Sequence, residues 1–102
     1  MAVYLRMNEN KKNWAFLTNH SHVIYLIKQF ESITVREMAM KIGITERAVM
    51  GITSDLSNAD YIVILKKGRK NYYKVNEGKF LRHPLEMHCN IGSILDILLP
   101  KK

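Results

Sequence analysis

Residues 34–49 read TVREMAMKIGITERAV, and this stretch restricts the fold more than any other. Thr34 and Glu37 have the spacing of a capping box. In that motif the hydroxyl accepts from the amide three residues on, and the carboxylate reaches back to the cap amide. A helix should therefore start after Thr34 and bury Val35, Met38, Ala39 and Ile42. Gly43 falls where a left-handed residue ends a helix. Thr45 has the chemistry of a second N-cap, and Glu46 puts negative charge in the next first turn, where it suits the dipole. The following helix should bury Ala48, Val49, Ile52 and Leu56 and end near residues 58–60, which tolerate left-handed geometry. Two helices joined by so short a glycine turn make a helix-turn-helix. Ala39 is small where the helices cross, Ile44 plugs the angle, and Val49 and Ile52 seal the second helix on the first.

The rest of the chain supplies what such a corner packs against. Asn19 is a candidate cap for an earlier helix, with Val23, Ile24, Leu26, Ile27 and Phe30 at helical spacing. Trp14, Phe16 and Leu17 are expected beneath its start, and Ile33 in a very short strand. Tyr61 to Lys66 and Asn71 to Val75 read as two strands joined by a turn centred on Gly68. A two-stranded hairpin is not stable alone in water, so it should lie against the helices. Pro84, allowed in a first turn, is expected to begin a last helix running to about Leu99. The fold class is thus mainly α with a small β-hairpin. Residues 1–13 read as a polar N-terminal arm, 14–82 as the helix-turn-helix domain with its hairpin, and 83–102 as a C-terminal segment.

Charge points to the partner. The 102 residues carry a formal net charge of +7. From 62 to 83, Lys66, Lys67, Arg69, Lys70, Lys74, Lys79 and Arg82 face only Glu77, seven against one, or +6. From 34 to 60, three basic residues face four acidic ones, or −1. A single-signed basic segment suits a polyanion. If Val49, Ile52 and Leu56 point inward, then Thr45, Glu46, Arg47, Met50, Gly51 and Ser54 point outward. The first residues of such a helix meet base edges in the major groove of double-stranded DNA. Arg47 is the candidate for bidentate contact with a guanine; Thr45, Thr53 and Ser54 are candidates for phosphates or bases. Lys66, Lys67, Gly68, Arg69, Lys70 and Asn71 at the hairpin tip would lie on phosphates or enter the minor groove.

Residues 14–99 resemble the winged helix-turn-helix transcriptional regulators of the MarR and ArsR type, and more narrowly a set of small bacterial and archaeal regulators. The carrying stretches are WAFLTNHSHVIYLI, REMAMKIGITERAV, YIVILKKGRKNYYKV and RHPLEMH. The resemblance implies a dimeric DNA-binding regulator: helix, short strand, helix-turn-helix, two-stranded wing, C-terminal helix. The third helix would be its reader and the hairpin its wing. The chain departs from that pattern at Met50 and Gly51, where relatives carry polar or basic residues, and at Asp60, where they tend to have Gly. The wing is therefore expected to supply most of the affinity, and Arg47 much of the readout.

The C-terminal segment is apolar on more than one face. A stripe of Leu85, His88, Gly92, Leu95 and Leu99 can pack on the first helix, leaving Met87, Ile91, Ile94 and Leu98 over. A helix apolar nearly all round is buried nearly all round, so this surplus, with Leu85, His88 and Leu95 at its edge, is expected in a two-fold dimer interface formed by Leu85, Met87, His88, Ile91, Ile94, Leu95 and Leu98. Paired readers and wings would address a pseudo-palindromic site. A dimer crevice would have room for a small-molecule effector that the sequence does not identify.

Members of the broader ArsR group sense metals, which directs attention to His20, His22, His83, His88 and Cys89. Adjacent His88 and Cys89 would diverge by about 100° on a helix, and thiolate-rich signatures are lacking, so no metal is expected. No cofactor is expected either. No nucleophile with a matched base, paired carboxylates or phosphate loop suggests an enzyme. One cysteine excludes an internal disulfide framework, and no apolar run is long enough to span a bilayer, which points to the cytoplasm. The rival classes are a winged-helix module that docks other proteins and a metal- or ligand-responsive sensor that binds DNA weakly.

Overall fold

The computed structural model describes residues 14–100; the arm read over 1–13 lies outside the described residues. Four helices and one two-stranded antiparallel sheet are present among them, helices dominating. In chain order they are α1 (Asn19–Gln29), α2 (Val35–Ile42), α3 (Glu46–Asn58), β1 (Ile62–Lys67), β2 (Lys70–Val75) and α4 (Ile91–Leu98). No described helix is long and apolar enough to cross a membrane.

The corner forms as its local chemistry dictates. Glu37 N–H donates to the Thr34 hydroxyl (3.0 Å), and Thr34 N–H donates to the Glu37 carboxylate (2.9 Å), closing the capping box. Gly43 takes φ +86°, and its amide and that of Ile44 both donate to Ala39 O, which ends α2. Ala48 N–H then donates to the Thr45 hydroxyl (3.0 Å) and starts α3. Asp60 takes φ +65° after α3, and Tyr61 N–H reaches back to Leu56 O. An Asp is one of the few L-residues that visits this region readily.

One buried cluster unites α1 (Val23, Ile24, Leu26, Ile27), α2 (Met38, Ala39), α3 (Val49, Ile52, Leu56), the hairpin (Tyr61, Ile62, Tyr73) and α4 (Ile91, Leu95). Val35 and Ile42 are partly buried against it. In the hairpin Ile62 pairs with Val75 and Lys67 with Lys70. The base is clamped: Asn76 N–H donates to Tyr61 O, and Asn76 Nδ2 donates to Asp60 O. The two-residue turn Gly68-Arg69 has a positive φ at Gly68 alone, the sign pattern of a type II′ turn.

Several expectations need correction. Thr18, not Asn19, caps α1, its hydroxyl accepting from Ser21 N–H; Asn19 instead bonds His22 Nδ1. Trp14 and Phe16 are exposed and stack edge-on with each other, and Phe30 is exposed beneath the Lys41 ammonium. Ile33 is buried but forms no strand, since Thr34 already begins the cap; a single bond from Tyr73 N–H to Glu31 O joins this connection to the hairpin. Ala48 is exposed, because the inward stripe of α3 is Val49, Ile52, Thr53 and Leu56.

The largest difference lies after Pro84. Residues 82–89 form turns, and the helix starts only at Ile91. Leu81 N–H donates to Cys89 O and Ile91 N–H to Lys79 O, pairing 79–81 with 89–91 in a strand-like bridge that a helix through this stretch would break. Asn90 then caps α4, accepting from Ser93 N–H at 2.9 Å.

Candidate nucleic-acid interface

α3 presents a narrow outer face. Thr45, Glu46, Arg47, Met50, Gly51 and Ser54 are all exposed. Thr53 is not: it is 7% exposed, and its hydroxyl donates to Met50 O at 3.0 Å. A side chain turned into the core with its one donor spent on its own helix cannot reach a phosphate or a base. The expectation for Thr53 is therefore corrected. The signal was present in the spacing, because 49, 52, 53 and 56 are the i, i+3, i+4 and i+7 positions of one face.

The hairpin places Lys66, Lys67, Arg69 and Lys70 at its turn end, where Arg69 and Lys70 lie beside residues 32–35. Lys66, Lys67, Gly68, Arg69 and Lys70 are exposed and Asn71 is half-buried. The register sends Ile62 and Tyr73 to the core side. Successive residues alternate faces, so Val63, Leu65 and Lys67 lie with Lys74, Tyr72 and Lys70 on the other side. Lys67 and Lys70 are direct cross-strand partners, an arrangement that like charges disfavour. The Lys67 ammonium lies 5.8 Å from the Tyr72 ring centre, which offsets part of that repulsion.

These charges are available to a partner. Among the described residues the ion pairs are His20–Asp55 and Lys28–Glu77. Glu77, the one acid of the basic segment, is thus engaged by α1 and not by the hairpin. Arg47 and the tip cations have no ion pair among the described residues. Where α2 starts, the hydrogen bonds from the Thr34 amide and hydroxyl hold the Glu37 carboxyl below the usual range, with smaller help from Lys41 and Lys70. The tip and the α3 face are separate elements joined through Ala59, Asp60 and Tyr61. Tyr61 is buried, its hydroxyl donating to Phe80 O (2.9 Å), and burial raises its pKa.

An open groove of about 1030 Å³ runs between the start of α1, the end of α3 and residues 79–94. Phe16, Ile24, Leu56, Leu85 and Ile94 give it apolar walls, and the His20–Asp55 pair (2.9 Å) crosses its rim. Of the residues read as a dimer seam, Leu85, Met87 and His88 are exposed, while Ile94 and Leu98 are half-buried. Ile91 and Leu95 are buried in the chain's own core, so they cannot face a partner. Leu95 belongs to the stripe expected against the first helix, and the observed core adds Ile91 to it.

Among the described residues no group of three or more His, Cys, Asp or Glu is placed to hold a metal ion. His83 Nδ1 accepts from Leu85 N–H, and His22 is bonded to Asn19. On β1, Val63, Ile64 and Leu65 are exposed, a feature that the strand reading of residues 61–66 did not address. No protein-family model matches the chain, and no curated protein matches it.

Proposed function

We propose that this chain is a DNA-binding transcriptional regulator of winged helix-turn-helix type, related in design to MarR and ArsR regulators and acting as a homodimer in the cytoplasm. In this reading α3 enters the major groove and the hairpin is the wing, laying Lys66, Lys67, Arg69 and Lys70 on phosphates or in the minor groove. The observation that carries it is the like-charged hairpin tip, without an ion pair among the described residues, on a chain whose capped corner exposes Arg47. An anion between Lys67 and Lys70 relieves their repulsion. Two-fold pairing through the apolar groove and Leu85, Met87 and His88 gives two readers for a pseudo-palindromic site, and the groove has room for a small-molecule effector.

The test is selection of duplex DNA from a random pool by the purified full chain, followed by binding across a salt series. Affinity should fall steeply, with a log–log slope of about −0.9 for each phosphate neutralised. A salt-insensitive affinity, or the recovery of no duplex, rejects the reading. A protein-docking module is the second reading, supported by exposed Val63 and Leu65 on β1. It requires neither duplex binding nor the hairpin cations.

A further inference from the structure

We propose that Met50 reads the 5-methyl group of a thymine in the major groove, and that Gly51 clears the helix face so that Met50 can reach it. The inference rests on the DNA-binding reading and adds the chemistry of one base contact. Arg47, Met50, Gly51 and Ser54 form the central outer stripe of α3 at i, i+3, i+4 and i+7. Met50 is 58% exposed in the middle of it. Core packing does not explain a large apolar side chain there.

Nor does the fold explain Gly51. It lies inside a regular helix, outside the left-handed region, and a Cβ built on it meets no atom within 4 Å. Neither backbone geometry nor a close neighbour demands glycine, while a glycine inside a helix weakens it. What its bare backbone changes is the outer surface, one turn after Arg47 and one turn before the end of the stripe. The resulting face offers a bidentate cation, a flexible thioether, a side-chain-free strip and a hydroxyl. Within the major groove the apolar group on a base edge is the thymine methyl. An unbranched, polarisable methionine adapts to such a contact. The basic hairpin brings the charge complementarity that a duplex, and not an apolar protein pocket, requires.

The experiment uses duplexes recovered from a random pool by the full chain. Each thymine of one half-site is replaced in turn by uracil, which removes the methyl group and nothing else. At one position the replacement should weaken wild-type binding about fourfold, the worth of one methyl group taken out of water. The same replacement should leave Met50→Ala unchanged, with Met50→Leu restoring part of the discrimination. Gly51→Ala should raise the melting temperature yet weaken binding to both duplexes. Uracil tolerated at every position, a selected site without thymine, or an equal loss in wild type and Met50→Ala overturns the assignment while leaving DNA binding standing. Failure to recover any duplex removes the DNA reading, and this inference with it.

Discussion

In the proposed reading, the two regions given to DNA would divide the task unequally. α3 is held rigidly, capped by Thr45, ended at Asp60 and buried along Val49, Ile52, Thr53 and Leu56. It has one basic residue against two acidic ones. The hairpin from 62 to 75 has five basic residues and no acid, is clamped at its base and brings Arg69 and Lys70 beside residues 32–35 at its tip. On that reading, position would come from the helix and attraction from the hairpin. A rigid, charge-poor element discriminates; a charged tip adheres, because phosphates repeat regardless of sequence.

The largest effect that would sharpen this division comes from changing Lys67, Arg69 and Lys70 together to Ala. Affinity should fall on the order of a hundredfold at moderate salt for every duplex alike, with the salt slope shallower by roughly 2.7, about 0.9 per contact. Full affinity in an anisotropy titration would break it. Next, Arg47→Ala should cost about 1–3 kcal/mol on the preferred site and relax selection at one base pair, leaving the salt slope nearly intact. A uniform loss across sequences would move Arg47 to the phosphate side of the division.

Two smaller predictions concern how the helix is held. Gly43→Ala meets open space but must hold φ +86°, so only backbone strain acts, about 1–2 kcal/mol. The melting temperature should drop by several degrees, and an unchanged value would show that the corner is not fixed by this turn. Smallest is the effect of pH through Glu37. Its carboxyl is held below the usual value of 4.5, so the folded chain favours the ionised form. That stabilisation is fully present above 4.5 and fades as pH falls through the lowered value. The gap in melting temperature between wild type and Glu37→Gln should therefore narrow between pH 7 and pH 3; a constant gap would contradict the box.

What could be read in advance was local. Thr34, Glu37, Gly43, Thr45 and Asp60 each declare a cap or a left-handed position within four residues, and all five are where the sequence puts them. After Pro84, where the deciding partner was distant, the reading failed. Pro84 looked like a helix start because nothing nearby reveals that Lys79 and Leu81 pair with Ile91 and Cys89. The Asn90–Ser93 cap was nevertheless legible as Asn-x-x-Ser. Adjacent Thr18 and Asn19 both suit an N-cap, and only packing chooses. Exposure of the cations and of Arg47 agrees with the sequence reading, whereas Thr53, Ile91 and Leu95 proved buried because helical phase, not residue type, set their direction.

The clamp at Asn76 also bears on how such a molecule can change over generations. It fixes the hairpin where it leaves the core, and beyond Ile64 and Tyr73 no residue of it is fully buried. Residues can be added at the tip without disturbing the register below. Two extra residues in each strand would carry the cations about 6.6 Å further while keeping each face toward its side. Reach is therefore the cheapest property of this chain to alter, and descendants with longer or shorter hairpins would keep the same helix corner while, on the proposed reading, spanning a different width of polyanion.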